Sequence, residues 1–490
     1  MASIVLLVLF FAVMTAVGIW GMRKTRSLND FFLGGRNMGP WISAIAYGTS
    51  YFSAVIFIGF AGKQGWMFGI HALWIALGNA LIGAAGAWLI LARRTRRMTQ
   101  NLDAMTMPEF LQERYEATHL KPVAAVIIFF FLIPYSASVF KGLGHLFEAV
   151  FGISYDTALL LMIGFTGVYL VLGGYFAIAM TDMIQGFFMF FGSIAMVSVV
   201  YGNGGGFVAT LQKVIENYSY HIPAAARPSF LTIFSLVFMT SFGPWGLPQM
   251  VQKFYAIKDE TVIKKAAIVT TVFATIIGFS AYLVGITSHV FFAPDSLPKM
   301  SQGGAINFDS IVPTLLTRLL PELLLALILL LVLSASMSTL SSLILVSSSS
   351  VAIDLYPGRA EANSEKDRSI AMMRFLSAIF IIVSYFISRY QFEVIVTLMS
   401  LSWGAVAGSF TAPYMYGLFW KRATKAGAYA GLFSGLLAEI VLFFVLGPAQ
   451  APLAATFAIL IPFIIVPAVS LCTKAPSSER LAAAFERVQQ

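Results

Sequence analysis

Apolar runs long enough to cross a bilayer occupy most of this chain, and that leaves it few ways to fold. In hydrocarbon a backbone amide must find its partner within its own helix or a closed barrel. A crossing helix takes about 20 apolar residues. Thirteen runs fit: 3–22, 40–62, 66–92, 122–150, 156–175, 183–201, 230–248, 265–292, 321–351, 370–388, 392–419, 424–446 and 451–472. Only 11% of the 490 residues are charged, against about a quarter in soluble domains. The expected fold is an all-α polytopic membrane protein of about 13 transmembrane helices.

The basic residues orient it. Of 31 Lys and Arg, 24 fall in or beside the segments 23–39, 93–121, 249–264, 352–369, 420–423 and the tail after 472. The opposite loops hold six: Lys63, Lys213, Arg227, Lys299, Arg318 and Arg389. Under the positive-inside rule the N-terminus is outside and the C-terminus cytoplasmic, in the cell membrane. The net charge of +9 therefore reflects topology, not nucleic-acid binding. The first run lacks a basic n-region, and Arg23-Lys24-Thr25-Arg26 follows rather than precedes it, so it reads as a retained helix.

Spans two to six and seven to eleven run in opposite senses, as an inverted repeat requires. The opening span of each unit carries helix-breaking residues: Gly48-Thr49-Ser50-Tyr51-Phe52-Ser53 in one, Gly243-Pro244-Trp245-Gly246-Leu247-Pro248 in the other. Gly relaxes the backbone and Pro removes a donor. Interrupted helices in matching positions point to a transporter's binding site, although each alone could be a mere kink. The expected units are 1–39 (first transmembrane helix and cytoplasmic loop), 40–229 and 230–423 (the two repeats), 424–472 (two peripheral helices) and 473–490 (cytoplasmic tail).

Ala335-Ser336-Met337-Ser338-Thr339-Leu340-Ser341-Ser342 puts hydroxyls inside an apolar run. Ala335, Ser338 and Thr339 share one helix face, and Ser338, Ser341 and Ser342 repeat the spacing one turn on. Buried oxygens clustered this way suit a hard cation; the same residues also serve as helix–helix glue. The five histidines are scattered and Cys472 is the sole cysteine. That excludes a disulfide within the chain and a zinc site built from thiols. No catalytic constellation stands out, so an enzyme is not expected.

These residues resemble the sodium:solute symporter family across nearly the whole chain. The resemblance rests on Asp30-Phe31-Phe32-Leu33-Gly34-Gly35-Arg36, Gly173-Gly174, Thr181-Asp182-Met183-Ile184-Gln185-Gly186 and Gly246-Leu247-Pro248. Further matches are Ser336 to Ser342, Asp354-Leu355-Tyr356, Trp420-Lys421-Arg422 and Gly427. It implies a leucine-transporter-like core of five-plus-five inverted repeats and transport driven by sodium. Carried over, a sodium site falls on Thr49 and Phe52 (main-chain carbonyls), Ala335 (carbonyl), Ser338 and Thr339 (hydroxyls). A further sodium site of some members falls on Asp182, Ser338, Ser341 and Ser342, although Asp182 would also serve as an N-cap. Where proline carriers place an aspartate and a tryptophan, this chain has Tyr51 and Val55; Tyr135 matches their substrate-side tyrosine. Trp245 and Trp403 are further candidate walls.

Two charges sit inside spans. Lys141 lies six residues past Tyr135, about 9 Å along a helix. It either meets the carboxylate of an anionic substrate or snorkels to the outer headgroups. Glu439, outside the repeats, is expected to make a helix–helix hydrogen bond or an ion pair. The expected function is sodium-coupled import of a small organic solute (organic acid, amino acid or related compound) by alternating access. An uncoupled facilitator or channel, or a proton-coupled symporter of the same fold, are the alternatives. The expected partners are the solute, sodium and the lipid bilayer; nothing specifies an oligomeric state.

Overall fold

The computed structural model describes residues 2–24, 28–172, 175–300, 304–355 and 363–486. Gly173, Gly174 and Tyr356 of the family motifs lie outside the described residues. Within them the chain is almost wholly helical. In order come α1 (Ala2–Lys24), α2 (Pro40–Tyr51), α3 (Ala61–Phe68), α4 (Leu120–Phe151), α5 (Tyr155–Leu172), α6 (Tyr175–Asn203) and α7 (Phe230–Phe242). Then follow α8 (Pro248–Tyr255), α9 (Thr261–Ile286), α10 (Glu322–Ala352), α11 (Asn363–Tyr390), α12 (Ile395–Phe419), α13 (Lys425–Leu446) and α14 (Ala451–Cys472).

Among the described residues nine helices are long and apolar enough to cross a membrane, or ten with the bent α7–α8 pair counted as one crossing. Two shorter apolar stretches, Ile4–Trp20 and Tyr155–Gly164, fall at the first and fifth expected spans. One of the nine, Val55–Asn101, runs for 47 residues. That is about 70 Å of helix, more than one bilayer crossing needs. It is punctuated at Gly69, whose φ of 51° stops α3.

Burial sorts these helices into a core and a rim. In their most apolar windows α12 is 94% buried and α10 78%, whereas α13 is only 22% buried. Leu437, Val441, Phe444 and Val445 of α13 are exposed and form a lipid-facing stripe. Small residues bring core helices together: a Cβ on Gly285 of α9 would strike the Ala61 carbonyl of α3, and one on Gly435 of α13 the Gly408 carbonyl of α12. Such contacts substitute for the hydrophobic driving force that lipid removes.

Both expected breaks occur. The first is narrower than 48–53: α2 stays helical through Tyr51, Phe52 is extended (φ −112°, ψ 131°), and the chain resumes as a π-helical stretch, Val55–Phe60. Gly48 is small because Phe273 of α9 packs against it, not because the helix opens there. The second break is a 3₁₀ turn, Gly243–Trp245, after which Pro248 takes the first position of α8. The two halves meet at 41°. The loops 202–229 and 293–320 carry helices of their own, Phe207–His221 and Ile311–Leu319.

On the basic face the segment after α8 is stitched down. The Lys258 amide donates to the Met38 carbonyl at 3.0 Å, and Arg96 Nε to the Ile257 carbonyl at 2.7 Å. Glu260 pairs with both Arg93 and Arg97 at 2.6 Å.

Candidate functional site

The break after Tyr51 leaves backbone oxygens without helical donors, and α10 lies against them. Thr339 Oγ1 sits 3.1 Å from the Ala335 carbonyl, 3.2 Å from that of Ser50 and 3.4 Å from that of Phe52. One hydroxyl proton cannot serve three acceptors, so the cluster has an excess of oxygen lone pairs in a place shielded from water. Ser338 Oγ donates to Thr49 Oγ1 at 2.9 Å, and the Thr49 hydroxyl donates in turn to the Ile45 carbonyl at 2.8 Å. Ser336 Oγ accepts from the Ala54 amide at 3.1 Å. All of these residues but the half-buried Ile45 are buried. An all-oxygen set at a helix break, without any cluster of His, Cys, Asp or Glu among the described residues, fits a hard monovalent cation. Sequence reasoning missed Ser50, whose carbonyl joins the set because the helix ends one residue later.

The second oxygen set is differently filled. Asp182 and Ser338 are wholly buried, with Ser341 and Ser342 nearly so. Ser341 Oγ bonds back to the Ser338 carbonyl at 3.0 Å, and Ser342 Oγ lies 2.9 Å from Ser50 Oγ. Lys253 of α8, grouped by position with the basic loop residues, is instead 1% exposed. Its ammonium donates to Ser342 Oγ at 3.0 Å and lies 4.0 Å from Asp182 Oδ2.

Beside the first set lies an open-mouthed cleft, about 310 Å³ with the solvent space at its mouth included, lined by residues that include Tyr51, Phe52, Ser53, Val55, Asn79, Tyr135, Thr240, Tyr282 and Trp403. Tyr51, Val55, Tyr135 and Trp403 are thus brought together as wall candidates. The Tyr51 hydroxyl donates to the Thr240 carbonyl at 2.7 Å, joining the first break to the helix that precedes the second. Tyr135 and Trp403 meet edge to face, with ring centroids 5.7 Å apart. A Cβ on Gly83 would collide with the Tyr51 hydroxyl, so glycine there gives that ring its place. Asn79, Thr240 and Tyr282 carried no distinguishing sequence signal; only the packing of α7, α9 and the Asn79–Ala92 stretch delivers them.

Trp245 and Lys141 are not among the lining residues. The Trp245 indole donates to the Ile82 carbonyl at 3.1 Å and its ring packs on Phe242. Lys141 reaches neither this cavity nor the protein surface: its ammonium pairs with Asp309 at 3.0 Å and donates to the Glu393 carbonyl at 2.8 Å. Asp309 Oδ2 also accepts from the Ile395 amide at 3.2 Å. Glu439 makes neither the hydrogen bond nor the ion pair expected of it. Both its oxygens are buried and without a hydrogen-bond partner, packed over Gly404 of α12. The contact with a residue that has no side chain leaves the carboxyl nothing to bond.

The sodium:solute symporter family profile matches residues 31–435 of this chain. The osmoregulated proline transporter OpuE of Bacillus subtilis is 30% identical over 445 residues, covering 87% of this chain and 86% of that protein. A sodium/proline symporter of Staphylococcus aureus is 29% identical over 452 residues, covering 89% and 85% respectively. Among solved structures, the substrate-bound, outward-open state of a Na⁺-coupled sialic acid symporter superposes with a TM-score of 0.80 at 18% identity, over 97% of this chain and 98% of that one. The helical architecture is therefore the expected leucine-transporter-like one.

Proposed function

This chain belongs to the sodium:solute symporter family, carriers rather than enzymes, and from that premise we propose that it imports a compact organic acid or amino acid with sodium. The carrying observation is the convergence of Thr339 Oγ1 with the Ser50, Phe52 and Ala335 carbonyls. In this reading Thr49, Ser50, Phe52, Ala335, Ser338 and Thr339 hold sodium between α2 and α10. Phe52 also lines the cavity, so occupation of the ion set fixes a wall of the substrate site. Sodium biases the conformations only to the extent that it binds one better than another.

The cavity's lining supports this substrate class. None of its lining side chains is charged. The half-helix that starts at Val55 opens onto it. Its Ala54, Val55 and Ile56 amides already bond Ser336 Oγ, Ser53 Oγ and the Ser53 carbonyl, so it is the positive end of the helix dipole that favours a carboxylate there. Tyr51, Tyr135, Tyr282, Met399 and Trp403 offer the apolar enclosure for the rest of the solute. The proline specificity named for the relatives is in keeping with such a site. Spans two to six (40–229) and seven to eleven (230–423) would form the inverted repeats. The N-terminus would lie outside and the tail inside, with Lys141–Asp309 near the outer face and the Arg93, Arg97 and Glu260 cluster near the inner one.

The test is uptake into proteoliposomes of labelled L-proline and a panel of short organic acids and amino acids, with an inward sodium gradient or with equal sodium on both sides. Accumulation under the gradient alone is expected. Equilibration indifferent to sodium would replace this reading with a facilitator.

A further inference from the structure

We propose that the Lys253 ammonium takes the place of a second sodium ion and holds this chain to one sodium per transport cycle, an inference that rests on the sodium reading above. The residues that could form a second site are Asp182 on α6 with Ser338, Ser341 and Ser342 on α10. Their only carboxylate is Asp182, wholly buried and accepting no hydrogen bond. A sodium ion there would need that charge to itself. Instead α8 delivers a lysine into the set: Nζ lies 4.0 Å from Asp182 Oδ2, 3.0 Å from Ser342 Oγ and 5.1 Å from the centroid of the Tyr175 ring. Carboxylate, hydroxyl and aromatic face together are ligands for an ammonium.

The remaining ligands are neutral hydroxyls, which cannot offset a second positive charge. Ser341 Oγ bonds to the Ser338 carbonyl, and Ser338 Oγ donates to Thr49 within the first set. A sodium ion added beside Lys253 would place two positive charges against one negative in a water-poor interior, where their repulsion is weakly screened. The tethered charge also reaches the first site. Ser342, its hydrogen-bond partner, lies 2.9 Å from Ser50 Oγ, and the Ser50 carbonyl belongs to the Thr339 cluster. Lys253 thus secures the second half of the α7–α8 pair to α10 and α2 without a diffusible ion.

Equilibrium binding of ²²Na⁺ to the purified full-length protein in detergent counts the sites without knowledge of the substrate. One site per chain is expected for the native protein and for Lys253→Arg. Lys253→Ala should gain a second site, and Lys253→Ala/Asp182→Asn should return to one. Two sites in the native protein would overturn the inference, and need no variant to fold. A Lys253→Ala protein that elutes as the native chain yet still binds a single sodium would overturn it as well. No sodium bound at all would take the sodium reading down first, and this inference with it.

Discussion

The Phe52 carbonyl lies 3.4 Å from Thr339 Oγ1, while the same residue lines the adjoining cavity. The proposed ion set and the proposed substrate cavity therefore share one backbone position, the residue at which α2 stops being a helix. A change in how tightly that carbonyl is held is felt on both sides. This contact is a short physical route for coupling the two ligands.

Ser338→Ala and Thr339→Ala should each raise the sodium concentration that half-saturates uptake. A hydrogen bond or ligand contact to a charge is worth about 1.5–3 kcal/mol, which corresponds to about ten- to a hundredfold. Sodium-activation curves in proteoliposomes measure it. If both variants keep the native sodium dependence, the hydroxyls are helix glue and nothing more.

The cavity walls divide the aromatic residues. Tyr51→Phe removes the donor to the buried Thr240 carbonyl, and Trp403→Ala empties one side of the Tyr135 pair. Each should weaken the substrate by about tenfold or more, on the scale of about 1–3 kcal/mol for an orphaned buried group. Trp245→Phe, which loses a bond to the Ile82 carbonyl, should lower thermal stability and leave substrate affinity near native. Competition binding with L-proline, read beside thermal unfolding, separates the cases; a large affinity loss in Trp245→Phe would put that indole back among the walls.

Lys141→Met should destabilise the protein by about 3–5 kcal/mol, since it strands a buried carboxylate. Asp309 is as buried as its partner. Lys141→Met/Asp309→Asn should recover part of that loss, because no uncompensated charge remains. Unfolding in detergent tests the pair. Additive losses in the double variant would show that the two side chains do not act as one unit.

Asp354, just past the C-terminal end of α10, carries a pH dependence. Burial, and then the neighbouring Glu109, push its carboxyl well above the usual carboxylate range, against the pull of Lys121 and of the Thr106 hydroxyl. The folded protein therefore holds this proton more tightly than the unfolded chain does. That contribution to stability is complete below the ordinary carboxylate pKa of about 3.9 and is lost as pH rises through the raised value. Asp354→Asn, which imitates the protonated form, should melt higher than the native protein at pH 8, with the gap closing on acidification. A gap that widens in acid would show that the ionised form is the one the fold prefers.

Some of this was legible in the chain. Hydropathy found the helices because a crossing segment must satisfy its own backbone, a local requirement. Gly243-Pro244-Trp245 announced its break for the same reason, and the spacing of Ala335, Ser338 and Thr339 put the oxygens on one face. The first break was less well bounded. Gly48 resembles a breaker, but its missing side chain makes room for Phe273, a residue 225 positions away that no window along the sequence connects to it.

The sequence by itself thus determined a multi-span helical membrane protein, two interrupted helices and an oxygen-bearing face, consequences of short-range periodicity and backbone chemistry, and its motifs carried the family resemblance. Tertiary structure decided which charges are partners. Lys141 found Asp309, Lys253 entered the oxygen set beside Asp182, and Glu439 came to rest against Gly404. Each outcome depends on where a neighbouring helix crosses, and in a low-dielectric interior the distance of a few ångströms to the next charge decides what a buried charge does.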